Sequence, residues 1–245
     1  MPANSSREIR STVTNEGTLE LSIAVQERPV PGDNEVLLEV GAAPINPSDL
    51  ALLISFAAKL DTLSVSGSGD QTVTSMELHP AMMGALKPRM GESMPVGNEG
   101  GGVVVDAGVN AKHLIGKTVG AAGGAMYSEY RCLPAHSCLV MNEGTTPTEA
   151  ASSFVNPLTA LAFIETMRLE NHSAILNTAA ASNLGQMLVK ICQEDGVPLI
   201  NVVRKPEQVE VLKNLGAEYV CDTSADSFMV DLVDALVATG ATLGF

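Results

Sequence analysis

One strand-to-helix junction of the chain reads Asn177-Thr178-Ala179-Ala180-Ala181-Ser182-Asn183-Leu184-Gly185. Laid on the dinucleotide-binding pattern Gly-x-Gly-x-x-Gly, its glycine positions fall on Ala180, Ser182 and Gly185, so one glycine remains and two small residues replace the others. The chemistry of such a turn is anion binding. The backbone approaches a pyrophosphate closely, and the unpaired amides and dipole of the following helix, opened by Asn183 and Leu184, favour negative charge. Ser182 adds a hydroxyl. A plain βα turn is the alternative reading. About 20 residues on, where a site preferring NAD carries Asp or Glu for the ribose 2′-hydroxyl, the next strand delivers Arg204 with Lys205 beside it. A guanidinium pairs with a 2′-phosphate that a carboxylate would repel, so the expected cofactor is NADPH rather than NADH. The alternative is that Arg204 is a solvated residue at a strand end.

A second constellation, Asn46-Pro47-Ser48-Asp49, read by itself is a turn whose Asn and Asp side chains cap backbone amides. Asn156-Pro157-Leu158-Thr159 reads by itself as a helix start. His79, His113, His136 and His172 are scattered without ligand spacing, and Cys132, Cys138, Cys192 and Cys221 form no Cys-x-x-Cys pair. The histidines are expected at the surface or in hydrogen bonds, and the cysteines as buried thiols in a reducing cytosol.

The elements that must position these residues change period along the chain. From Thr18 to Val40 the pattern is strand-like: Leu19, Leu21 and Ile23 alternate, Pro29 to Asn34 interrupts, and Glu35 to Val40 resumes. Asp61 to Ser75 is rich in Ser, Gly and Thr and is expected to be a surface insertion or mobile loop. Val96 to Val140 is again strand-rich, punctuated by glycines. After Pro147 helical spacing takes over, at Thr148 to Ala151 and Leu158 to Leu169. Apolar runs at 173–178, 198–203, 218–221 and 241–245 then alternate with helices at 185–194, 206–215 and 228–238, which predicts βαβ units and a parallel sheet.

Composition agrees with a folded α/β chain: 245 residues, 45% hydrophobic and 17% charged, a length that suits one or two domains. With 14 Lys and Arg against 28 Asp and Glu, the net charge of −14 repels phosphate backbones, and no Trp, 3 Tyr and 5 Phe offer few stacking platforms. Nucleic acid is therefore excluded as the main partner. The first residues hold no apolar secretion core, and nowhere do about 18 uncharged apolar residues run together, so no membrane partner is expected and the cytoplasm is the expected compartment.

Five segments in order resemble the medium-chain dehydrogenase/reductase superfamily, in its zinc-independent quinone reductase and enoyl reductase-like branch. They are Ala43-Pro44-Ile45-Asn46-Pro47-Ser48-Asp49, Pro95-Val96-Gly97-Asn98-Glu99-Gly100, Met126-Tyr127-Ser128-Glu129-Tyr130, Asn156-Pro157-Leu158-Thr159-Ala160 and Ala179 to Gly185. The resemblance implies a GroES-like β-domain over residues 1–150, an NADP-binding Rossmann domain over 151–245, a substrate cleft between them and a homodimer. It further implies that Asn46 lies beside the nicotinamide and that Thr159 contacts the cofactor. With Ala180, Ser182, Asn183, Leu184, Gly185, Arg204 and Lys205, these complete the expected cofactor-binding set.

Departures from the family's zinc alcohol dehydrogenases decide the expected chemistry. Where those enzymes place a ligand Cys before the Asp, this chain has Asn46-Pro47-Ser48-Asp49. Where they have Gly-His-Glu it has Gly97-Asn98-Glu99, and no four-Cys lobe exists, so no metal is expected. The resemblance then implies hydride transfer from NADPH to a quinone or an α,β-unsaturated carbonyl, with Asn46 as the catalytic hydrogen-bond donor. Enoyl reductases of this branch carry a proton-donating Tyr a few residues after the Asn46 turn, but Leu50 to Phe56 contains none. Water or a hydroxyl such as Ser55 is left as proton source, or a quinone that requires none. Tyr127 and Tyr130 match a structural strand of the family. Because relatives continue well beyond a fourth Rossmann strand, the chain is also expected to be a fragment, with an exposed strand edge prone to association. The alternative function is a non-catalytic nucleotide-binding protein.

Overall fold

A computed structural model of the chain describes residues 4–55 and 57–245. It divides into two compact units, Met1–Phe154 and Val155–Phe245.

Among the described residues of the first unit, ten strands and three short α-helices follow one another, with short 3-10 turns between some of them. They are β1 (Ser5–Val13), β2 (Thr18–Glu27), β3 (Glu35–Ala42), α1 (Pro47–Leu53), β4 (Ser64–Ser66), β5 (Val73–Glu77), α2 (Met83–Leu86), β6 (Ser93–Pro95), β7 (Glu99–Ala107), β8 (Thr118–Ala122), β9 (Tyr130–Pro134), β10 (Cys138–Val140) and α3 (Pro147–Ala150). Two antiparallel sheets result, in the orders β4-β5-β2-β1-β6 and β10-β8-β7-β3-β9. Val36, Leu38, Val104, Val119, Met126 and Leu133 form the core of the second sheet, while Val13, Leu19, Met76 and Leu78 form that of the first.

Two features depart from the sequence reading. The expected loop at 61–75 contains a hairpin: β4 pairs with β5, and β5 extends the sheet along β2 from Thr18↔Glu77 to Ser22↔Val73. Its strand character is hidden because the three residues of β4 are all exposed, so no apolar face had to be written into them. The strand β1 was not anticipated because its inward positions include Ser6, Glu8 and Ser11, whereas Ile9 is turned partly to solvent. Polar residues inside and an apolar one outside invert the alternation by which half-buried strands are recognised.

The second unit follows the predicted alternation. It runs α4 (Val155–Leu169), β11 (Ile175–Asn177), α5 (Asn183–Asp195), β12 (Leu199–Val203), α6 (Pro206–Asn214), β13 (Tyr219–Asp222), α7 (Phe228–Thr239) and β14 (Leu243–Gly244). All pairings are parallel, in the order β13-β12-β11-β14. One sheet face packs Ile175, Leu199 and Val203 with Leu188, Val189 and Leu212 of α5 and α6, and the other packs Ile200 and Cys221 with Ala235 of α7. Cys192 and Cys221 are buried as expected, but Cys132 and Cys138 are only partly so, since each sits on a strand whose outer side is open. No helix among the described residues is long and apolar enough to cross a membrane.

Candidate functional site

Two assemblies carry the expected residues, one in each unit. In the first, Pro47 starts α1 and Asn46 is its N-cap. Pro at a first helical position costs no hydrogen bond, because that amide has no partner within the helix. Asp49 then turns its carboxylate back, its Oδ2 accepting the Asn46 N–H at 2.8 Å and its Oδ1 the Asn98 N–H at 2.8 Å. One buried carboxylate thus ties the Asn46 turn to the strand-like segment before β7.

The Asn46 side chain donates through Nδ2 to Glu99 Oε1 at 2.8 Å, and Glu99 Oε2 accepts the Phe154 N–H at 3.0 Å. Glu99 is fully buried, Asp49 is 2% exposed and Asn46 5%. Charged groups at such depth require the donors that surround them. Gly97, with φ +95, makes this approach possible: a Cβ there would stand 2.6 Å from the Tyr127 ring. The Tyr127 hydroxyl donates to Pro44 O at 2.9 Å, and burial, then the nearby Asp49 carboxylate, push its pKa up to about 12. It is a proton holder at neutral pH. Asn98, standing where a zinc enzyme has His, donates through Nδ2 to Ser48 Oγ at 3.1 Å. Among the described residues no group of three or more His, Cys, Asp or Glu could hold a metal ion.

Asn46 therefore sits almost buried, with its Nδ2 bonded to Glu99. Ser55 is buried too, in the left-handed region at φ 59, with Oγ accepting the Ala57 N–H at 3.2 Å, so it serves its own turn. Phe56, the last residue of the segment without Tyr, lies outside the described residues. Tyr130 donates to Glu39 Oε1 at 3.0 Å beneath the Arg28 guanidinium, a surface arrangement.

In the second unit, β11 ends at Asn177 and the turn enters α5 at Asn183. Ser182 is the N-cap, its Oγ accepting the Gly185 N–H at 3.2 Å. Gly185 allows the helix to press onto the turn: a Cβ there would stand 2.1 Å from Ala180 O. Ala180 itself is fully buried and its N–H donates to Val202 O at 3.2 Å. There it seats the helix on the sheet. The next N–H to be bonded within the helix is that of Gln186, to Ser182 O, and the Asn183 and Leu184 amides have no acceptor among the described residues. These are the first-turn donors that an anion takes up. Arg204 and Lys205 are exposed at the end of β12, and neither takes part in an ion pair among the described residues. The Arg204 N–H is held by Gln208 Oε1 at 3.0 Å. Thr159, on α4, donates to Val155 O at 2.7 Å, leaving its hydroxyl oxygen as an acceptor.

Sequence reasoning read Asp49 as a cap of its own turn, which it is, but missed its second bond to Asn98 and missed Glu99 as the partner of Asn46. The signal was available: an acidic residue heads a Gly- and Val-rich strand that offers no neighbouring charge to balance it.

No family model matches the chain. It is 30% identical over 203 residues to the mitochondrial enoyl-[acyl-carrier-protein] reductase of Xenopus tropicalis, covering 78% of this chain and 48% of that one. The trans-enoyl reductase tndF of Aspergillus flavipes is 26% identical over 243 residues, covering 91% and 62%. Among solved structures, a Mesorhizobium loti protein named for NADPH:quinone reductase is 25% identical with a TM-score of 0.69, covering 100% of this chain and 67% of that one. The chain spans about half the length of the curated enoyl reductases it matches. The likeness gives the fold: a GroES-like β-unit and a Rossmann unit.

Proposed function

We propose that this chain, whose homologues are enoyl reductases and quinone reductases of the medium-chain dehydrogenase/reductase superfamily, binds NADPH through its second unit and serves reduction of a quinone or an α,β-unsaturated carbonyl. The observation that carries the reading is the α5 N-terminus. Among the described residues two first-turn amides lack an acceptor and Arg204, which follows β12, has no ion pair, while Gly185 closes the turn onto Ala180. That set fits a pyrophosphate and a 2′-phosphate.

NADPH, when bound, supplies a hydride. The Asn183 and Leu184 amides bind the pyrophosphate, Arg204 and Lys205 the 2′-phosphate, and Thr159 orients the cofactor through its hydroxyl. In the first unit, Asp49 and Glu99 fix the Asn46 turn. Asn46 acts on the acceptor, and solvent supplies the proton that balances the hydride. A homodimer in the cytoplasm is the state proposed for the working protein.

A second reading, nucleotide binding without turnover, is favoured by the burial of both Asn46 and Ser55, the two groups called on for catalysis. Calorimetric titration with NADPH, with NADH as control, tests the shared part. NADPH tighter by at least tenfold, about 1.4 kcal/mol, supports the site. Equal affinities remove the 2′-phosphate assignment, and no binding of either removes the nucleotide reading. Oxidation of bound NADPH by a simple quinone or enone then separates enzyme from binder.

A further inference from the structure

The second unit carries a cavity of about 360 Å³, enclosed by the second half of α5, the turns that enter β12 and β13, and the last residues of α7. Its volume suits a small molecule. The turn and the Arg204 assigned above to a nucleotide lie at the opposite ends of α5 and β12, so this is a separate place in the fold. Cys192, Leu199 and Asn201 are buried in its wall, whereas Gln193, Gly216 and Glu218 are exposed at its mouth. The mouth is held open by specific geometry. Gly216 has φ +86, a Cβ there would stand 2.8 Å from Gln193 Nε2, and that amide donates to Leu215 O at 3.0 Å.

Asn201 is the polar group inside. It is 1% exposed, on the face of β12 that also carries Leu199 and Val203, and its Nδ2 donates to Leu199 O at 3.4 Å and to Tyr219 O at 3.2 Å. Two carbonyls on that side fix which way the amide faces, and its Oδ1 has no partner among the described residues. Asn177, its register partner on β11, does not serve it, since the Asn177 Nδ2 is unbonded too. A buried acceptor left in this state costs free energy that a ligand donating an N–H recovers. Charge narrows the choice of ligand. α5, α6 and α7 all end on this side, at Asp195, Asn214 and Thr239, and turn the negative ends of their dipoles toward it. Glu218 adds a carboxylate at the mouth, and among the described residues lining the cavity there is no Lys, Arg or His.

We propose that this cavity binds a small organic cation, which gives an N–H to Asn201 Oδ1, packs an apolar body against Val189, Val197 and Leu199, and keeps its positive charge at Glu218. The site stands independently of the nucleotide reading.

The probe is 4-aminobenzamidine, which has a neutral aryl amine and a cationic amidinium at opposite ends of one ring and whose emission rises on leaving water; the chain has no Trp to obscure it. It is expected to bind saturably, one per chain. Benzamidine, which lacks the aryl amine, is expected to displace it with about tenfold lower affinity, and 4-aminobenzoate, of the same shape and opposite charge, not to displace it. Asn201→Leu is expected to bring 4-aminobenzamidine down to the affinity of benzamidine and to leave benzamidine unchanged. Glu218→Gln, at an exposed position that tolerates change should Asn201→Leu not fold, is expected to weaken both cations about threefold. No saturable binding, equal affinity for the two cations, or displacement by 4-aminobenzoate overturns the proposal. Binding that Asn201→Leu leaves intact shows attraction to the net charge of −14 alone and also overturns it. Absence of binding together with lower stability of Asn201→Leu in urea shows that Asn177 holds the oxygen in solution, and overturns it as well. NADPH titration of the same chain judges the nucleotide reading separately from every one of these outcomes.

Discussion

Asn46 Nδ2 and Glu99 Oε1 meet at 2.8 Å in the interior of the first unit, joining residues 53 positions apart. Removing the amide takes one donor from a fully buried carboxylate. Asn46→Ala is expected to lower stability by about 1–3 kcal/mol in urea denaturation. Asn46→Asp sets carboxylate against carboxylate, and its deficit is expected to shrink as the pH falls and one of the two takes a proton. Unchanged stability in Asn46→Ala would refute a structural role for the pair.

Gly185→Ala is expected to be more harmful than a helix propensity scale suggests, because its Cβ would lie 2.1 Å from Ala180 O, a backbone atom unable to rotate away. Displacing the helix start is expected to cost about 1–3 kcal/mol and to weaken NADPH binding at least tenfold. Ser182→Ala removes only the cap, at about 1 kcal/mol. Calorimetry and denaturation of the two variants, compared directly, check the order.

Arg204→Ala is expected to weaken NADPH about tenfold and to leave NADH unchanged, since only the first carries the 2′-phosphate. The difference between the nucleotides should narrow as salt is raised, as for any exposed charge pair. A variant that loses both nucleotides equally would show that Arg204 acts on the fold of the β12 end.

Tyr127 is expected to titrate near pH 12 in the folded chain, against 10.0 for an ordinary phenol, because burial and then Asp49 oppose its ionisation. Between those values the folded chain keeps a proton that the unfolded chain has lost. The stability this contributes is full below pH 10.0 and is lost as the pH rises toward about 12. Glu39 and Glu218 also raise the phenols of Tyr130 and Tyr219, so absorbance at the tyrosinate band should show late titration of which Tyr127→Phe removes the component near pH 12. Its persistence in that variant would assign it to another residue.

Much of the second unit was legible in the chain itself. Its strands are short apolar runs, its helices are periodic, and the turn from Asn177 to Gly185 has small residues wherever a helix must touch a strand. Such local signals survive because each βα step is built from neighbours in sequence. The first unit was less legible at β1 and β4: one buries Ser6, Glu8 and Ser11, and the other buries nothing. Pairing with distant strands decides both.

By itself, the sequence determined the two-part order of strand-rich and alternating halves, the candidate anion turn and the Arg204 that follows it, since periodicity, small residues and charge are local properties. Only the tertiary structure decided that Asp49 binds both Asn46 and Asn98, that Asn46 is buried against Glu99, and that Ala180 supports the helix from within. The reason is physical. Whether a polar side chain faces a ligand or another side chain depends on the donors and acceptors that remote segments bring within about 3 Å of it, and residue type alone cannot state that.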